Sequence, residues 1–167
     1  MKKNYWLIIV CLLCSLFIYL FYRTEKTVVN QIFISIVSLG KFVEWRRFVA
    51  GALPLNSHII YSLPEGLWVF CITLVSKPFY VKVYNREINL LFLPLIFSIG
   101  LELLQLVHIT NGRFDFWDIG SSVAGWSAAA YLMKNKSAIQ NIRNPFTNKS
   151  LICVFTYLIV YLAHVWK

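Results

Sequence analysis

The chain has 167 residues, 59% of them hydrophobic and 14% charged, with a formal net charge of +9 and a mean hydropathy of +0.65. Soluble domains carry about 25% charged residues, so this composition leaves too little polar side chain to cover a water-facing globule. The basic residues lie between apolar runs and not on one soluble face, which points to positive membrane loops and away from nucleic acid.

A single domain over 1–167 is expected, an all-α polytopic bundle in the membrane. A crossing helix needs about 20 largely apolar residues. The first such run is Tyr5–Tyr22, which follows Lys2 and Lys3 and resembles a secretory leader. The first alanine is Ala50, so no small-x-small cleavage site follows the run, and Leu13 stands before Cys14 where a lipoprotein signal needs a small residue. It reads as a retained anchor. Cys11 and Cys14 form a CxxC with no second Cys or His pair nearby, so they read as small hydrophobes, like Cys71 and Cys153.

Thr27–Val43 mixes Val28, Ile32, Phe33, Ile36 and Phe42 with Asn30, Gln31, Ser35 and Ser38. Such a piece can span, lie in the interface or pack half-buried, and it leads into an interfacial or re-entrant helix near 27–48. Lys41, Glu44, Arg46 and Arg47 share a predicted face there. The two arginines suit either phosphate oxygens of a lipid head group or snorkelling at the interface.

The second span is Pro64–Tyr80, opened by Ser62 near the cap, Pro64 in the first turn and Glu65 at the positive end of the dipole, where it too can meet a head group. Ile88–His108 is the third, with Asn111-Gly112 as the break after it. Asp118–Met133 is the fourth and Leu151–Trp166 the fifth, separated by the polar, basic stretch Asn135–Asn148. Trp45, Trp68, Trp117 and Trp166 fit interfacial anchoring, and Tyr80 and Tyr84 do so at the opposite face.

Five spans with the N-terminus inside gather nine basic residues on the inner face (Lys2, Lys3, Lys77, Lys82, Arg86, Lys134, Lys136, Arg143 and Lys149) and seven outside. A sixth span at Thr27–Val43 would reverse that count, so the positive-inside rule favours five. The chain is thus expected in a plasma membrane, N-terminus cytoplasmic and C-terminus external. Of the seven acids only Glu87 falls inside, while Glu25, Glu44, Glu65, Glu102, Asp115 and Asp118 fall on or near the outer face. The motifs Asn135-Lys-Ser and Asn148-Lys-Ser sit on the inner face and are discounted as glycosylation sites.

Ser98, Glu102 and Gln105 recur at i, i+4 and i+7 and share one helix face. A carboxylate in hydrocarbon costs at least about 2.5–3.5 kcal/mol on insertion scales, so Glu102 should face protein or water. The bland reading is a buried Glu bonded to a neighbouring helix. Asp115 and Asp118 form a DxxD at the start of the fourth span, able to share a cation, a basic group or a polar head. Helix capping explains at least one of them. Arg113 stands two residues earlier, and the stripe Asp118, Ser122, Gly125, Ala129 is small enough for close helix packing. His58, His108 and His164 are scattered and form no metal cluster.

The stretch Ile99-Gly-Leu-Glu102-Leu-Leu-Gln105, followed by Gly112-Arg-Phe-Asp115-Phe-Trp-Asp118 and then Ser122 and Gly125, resembles the VanZ-like family of bacterial membrane proteins. That family carries an ExxQ ending one span and a D-x-x-D-x-x-x-N-x-x-G hairpin into the next. Leu63-Pro64-Glu65-Gly66 resembles its P-x-G helix opening more weakly. The resemblance covers a core of about 56–134; Ser122 departs from it where the family has Asn, and Arg113 stands near the family's basic position. It implies a cell-envelope role, with low-level resistance to the glycopeptide teicoplanin associated with the founding member, and no reaction.

The expected function is therefore a cell-envelope binding or accessory protein. Its outer cluster of Glu102, Gln105, Arg113, Asp115, Asp118 and Ser122 would hold the polar head of a lipid or amphiphile, with Arg46, Arg47 and Glu65 as further head-group contacts. The alternatives are an enzyme acting on a phosphorylated lipid through Mg²⁺ held by Asp115, Asp118 and Glu102, and a partner subunit in which the cluster is helix glue. No cofactor fingerprint, phosphate-binding glycine loop or nucleic-acid motif is present, and no Ser/His/Asp or Cys/His arrangement points to acyl transfer.

Overall fold

The computed structural model describes residues 2–23, 28–84, 86–109, 113–132, 140–143 and 147–165. They are mostly helical: α1 (Lys2–Phe21), α2 (Val28–Val37), α3 (Leu39–Ala52), α4 (Ser57–Ser76), α5 (Leu93–Leu106), α6 (Phe116–Leu132) and α7 (Asn148–Val165). This agrees with the all-α architecture expected, to which one small sheet is added. β1 (Phe79–Val83) pairs antiparallel with β2 (Arg86–Asn89), and β3 (Gln140–Asn141) joins β1 in parallel. Phe79-Tyr-Val-Lys-Val83 is rich in aromatic and β-branched residues, which favour a pleated strand over the helix end expected for Tyr80. Ile88 likewise lies in β2, so the third helix starts after a 3₁₀ turn at Leu90–Phe92. The sheet ties the 79–89 connection to the 140–141 one.

Helix α4 is the hub. It starts seven residues before the expected Pro64, because the Asn56 side chain accepts from the His58 backbone N–H at 3.2 Å and caps it. Ser62, Pro64 and Glu65 therefore lie within the helix and not at its start. Its buried residues combine the small or polar Ser62, Gly66, Thr73 and Ser76 with the larger Val69, Phe70, Ile72 and Leu74. At 20 residues, about 30 Å long, it is the helix among the described residues both long and apolar enough to cross a membrane. Tyr5–Phe21, Leu90–Leu106 and Asn148–Ile159 are shorter apolar helices.

Helix α6 lies parallel to α4 with the two backbones in contact. A Cβ on Gly66 would fall 2.6 Å from the Ser121 carbonyl oxygen, and one on Gly125 would fall 2.9 Å from the Gly66 carbonyl carbon. The small-residue stripe at Ser122, Gly125 and Ala129 thus forms the close contact its spacing suggests, with Ser122 and Ala129 fully buried. At the far end Lys77 Nζ donates to the Ala130 carbonyl at 3.0 Å. Helix α1 runs antiparallel to α4, with the Cys71 thiol 3.9 Å from the Ile8 carbonyl at one end and Arg23 Nη2 3.0 Å from the Tyr61 carbonyl at the other. Cys11 packs on the Phe70, Cys71, Leu74 and Ala129 cluster, whereas Cys14 is exposed. Helix α7 docks through Tyr157, whose hydroxyl is 2.9 Å from Ser76 Oγ.

The 28–52 stretch is two short helices broken at Ser38, whose φ of 78° is outside helical space. With 10 and 14 residues they reach about 15 and 21 Å, so no single helix carries the awkward 27–43 segment across a bilayer; Thr27 itself is outside the described residues. Asn30 is buried and its amide donates to the Tyr19 carbonyl at 3.2 Å, which pins α2 to α1. Large apolar side chains remain exposed around the outside, among them Leu12 and Leu13 of α1, Ile96 of α5, and Phe155 and Ile159 of α7.

Candidate functional site

Helix α5 ends in a Schellman motif at the expected end of the third span: His108 takes a left-handed φ of 58°, its N–H bonds the Gln105 carbonyl, and the Ile109 N–H bonds that of Leu104. Asn111 and Gly112 fall outside the described residues. The buried face of α5 is Pro94, Ser98, Leu101, Glu102 and Gln105, the face their spacing predicts. Glu102 is only 3% exposed.

Asp115 immediately precedes α6, and its Oδ1 accepts from the Trp117 N–H at 2.9 Å, as an N-cap does. In an ordinary capping box the acid three residues on, here Asp118, would reach back to the cap's own N–H. That N–H instead donates to Glu102 Oε2 from α5, at 3.2 Å. Glu102 and Asp115 together thus fasten the end of α5 to the start of α6.

Asp118 is thereby released towards α4 and α1. Its Oδ1 is buried, and the buried Ser62 hydroxyl faces the carboxylate from α4 as its hydrogen-bonding neighbour. Glu65, Asp115 and Arg23 all lie within electrostatic reach of Asp118. Glu65 is not a surface acid at a helix start. One of its oxygens accepts from Trp68 Nε1 at 2.6 Å, the other from Ser98 Oγ at 3.2 Å. Ser98 Oγ is also 2.7 Å from Ser122 Oγ, so the hydroxyl at position 122 links α5 to α6. Trp68 is half-buried and packs edge-on to Phe97.

Arg23 is a site residue that spacing alone did not single out. Its guanidinium lies between the rings of Tyr19 and Tyr61, 5.0 and 4.9 Å from their centroids. Its Nε is buried without a partner. The sequence signal that points here is the set of small and polar residues that α4 buries, which a lipid-facing helix would not carry. Arg46 donates from Nε and Nη2 to the Phe21 and Arg23 carbonyls, at 3.2 and 2.6 Å, and covers the C-terminal end of α1. Arg46 and Arg47 line an open cleft of about 390 Å³ with Phe21, Tyr22, Val43 and Ala50. Arg113 is exposed beside the start of α6.

Glu102, Asp115 and Asp118 do not form a three-carboxylate metal set, since two of them are turned to backbone N–H groups. Among the described residues no group of three or more His, Cys, Asp or Glu is placed to hold a metal ion. No protein-family model matches the chain, and no curated protein and no solved structure matches it.

Proposed function

We propose that the chain is a multi-pass protein of the bacterial plasma membrane, of VanZ-like type, that binds the polar head of an amphiphilic envelope molecule at one end of its bundle. The observation that carries this reading is the segregation of side chains. Apolar residues of α1, α5 and α7 are exposed around the outside, where contiguous apolar surface marks a lipid or partner contact. The interior polar groups Arg23, Ser62, Glu65, Glu102, Asp115 and Asp118 instead meet at one end. The other end holds the sheet with Lys82, Arg86 and, next to it, Lys77 and Arg143, the base-rich face that belongs in the cytoplasm. Five helices cross, α2 and α3 lie at the external interface, and tolerance of glycopeptide or other envelope-targeting antibiotics is one consequence.

The helix-glue reading is favoured for Glu102 and Asp115, whose carboxylates bond backbone N–H groups. It leaves Asp118 unexplained. A reporter fused at Asn141 is expected to be cytoplasmic and one after Lys167 external; an external signal at Asn141 would reverse the orientation. Binding itself is tested by identifying lipids and other amphiphiles retained on the purified full chain. Wild type should retain a defined species that Asp115→Asn/Asp118→Asn loses, and equal retention by both proteins would defeat the assignment.

A further inference from the structure

Resting on that reading for which end of the bundle meets the outer leaflet, we infer that the cleft between α3 and the end of α1 is a site for the phosphate of an anionic phospholipid, with Arg47 as its main cation.

Val43, Arg46, Arg47 and Ala50 line the cleft from α3. They stand at i, i+3, i+4 and i+7, one face of that helix, and the opposite wall is Phe21 and Tyr22, where α1 ends. Two sets of bonds fix the walls. The Tyr22 hydroxyl donates to the Leu53 carbonyl just after α3 at 2.6 Å, and Arg46 donates from Nε and Nη2 to the Phe21 and Arg23 carbonyls. Ala50 offers only a methyl to the space between them, which stays open at about 390 Å³. That volume is within the range of ligand clefts and takes a phosphate with the glycerol end of an acyl chain.

The lining decides the ligand's chemistry. Its charged groups are two guanidiniums, and no carboxylate is among the described lining residues; Glu44, one turn before Arg47, lies outside it. Arg46 is engaged with the last carbonyls of α1, whose partial negative charge it offsets. Arg47 makes none of those bonds and is exposed at the cleft, where its planar fork suits two phosphate oxygens. Phe21, Val43 and Ala50 supply the apolar wall that an acyl chain would cover and that a free phosphate ion would leave bare. Trp45 and Phe48, exposed on a neighbouring face of α3, suit the depth of the head groups. A lipid of net negative charge matches this cleft, whereas a zwitterionic one brings its own cation towards two arginines.

The test is a titration of the purified full chain in detergent with short-chain phosphatidylglycerol, short-chain phosphatidylcholine and inorganic phosphate, read by tryptophan fluorescence, since Trp45 stands on α3. Phosphatidylglycerol should bind on the order of tenfold more tightly than phosphatidylcholine, as expected for a charge-assisted hydrogen bond. Arg47→Gln should remove that preference, and Arg47→Lys should keep only part of it, because a point charge replaces a fork. Ala50→Phe leaves every charge in place but fills the cleft, and should weaken phosphatidylglycerol binding as much as Arg47→Gln does. Residues 47 and 50 are both exposed, so these variants should fold, and the Arg46 bonds to α1 are left intact. Equal binding of the two lipids, or an undiminished preference in Arg47→Gln, overturns the anionic site while amphiphile binding stands. A preference lost in Arg47→Gln but kept in full by Ala50→Phe would be surface charge alone and overturns the cleft. Inorganic phosphate that competes at the same concentration as phosphatidylglycerol overturns the lipid as ligand. Binding of neither lipid also overturns the site, whereas failure of the amphiphile reading shows separately, as equal retention by wild type and Asp115→Asn/Asp118→Asn.

Discussion

Gly125→Ala should destabilise the protein about as much as Gly66→Ala and more than alanine at any other described helical glycine. The added methyl would fall 2.9 Å from the Gly66 carbonyl carbon and closer still to its oxygen. Those atoms belong to the backbone of a helix that is itself held by α1, α5 and α7, so no side chain can rotate aside. Overpacking typically costs about 1–3 kcal/mol, and a contact with immovable backbone belongs at the top of that range. At roughly 2–4 °C per kcal/mol for a chain of this size, the thermal midpoint should fall by several degrees. Gly66→Ala should behave alike, since its methyl would meet the Ser121 carbonyl oxygen at 2.6 Å. Gly120 lies on the same helix with nothing within 4 Å of its Cβ position. Gly120→Ala should therefore be neutral or gain up to about 1 kcal/mol of helix propensity. Thermal unfolding of the three variants in one detergent checks this, and a Gly125→Ala midpoint matching that of Gly120→Ala would mean that α4 and α6 do not pack backbone to backbone.

That contact was half legible in the sequence. The spacing of Asp118, Ser122, Gly125 and Ala129 marks a small-residue face, but nothing in it names the partner, and Gly66 reads locally as part of a helix opening. The buried face of α5 was legible too, because polar residues at i, i+4 and i+7 in an apolar run leave a single reading. The start of α4 was not. Asn56 and Ser62 are both good caps, and Pro64 weights the choice towards Ser62; the structure instead buries Pro64 and Ser62 inside the helix, where tertiary packing outweighs the local signal. Ser38 carries a left-handed φ that serine seldom adopts, so composition gave no sign of the break between α2 and α3. The convergence of Arg23, Ser62 and Asp118 joins residues far apart in the chain, and it takes the packing of α4 against both α6 and α1 to bring it about.

Glu102 separates the fastening role from the binding role. Its Oε2 accepts the Asp115 N–H, a donor at the start of α6 whose usual partner, Asp118, is turned elsewhere. Glu102→Leu keeps bulk in a site only 3% exposed but leaves that N–H unpaired. The expected cost is about 1–3 kcal/mol, seen as a lower thermal midpoint and faster exchange of the first amide protons of α6. Glu102→Gln keeps an oxygen at the same place and should unfold within about 1 kcal/mol of wild type, since a neutral acceptor replaces a charged one. Because Asp118 and Ser62 are untouched, Glu102→Gln should also keep its bound amphiphile. If Glu102→Leu is as stable as wild type, the link from α5 to α6 is not carried by this carboxylate. If Glu102→Gln folds normally and loses the amphiphile, Glu102 belongs to the binding surface and its bond to Asp115 is secondary.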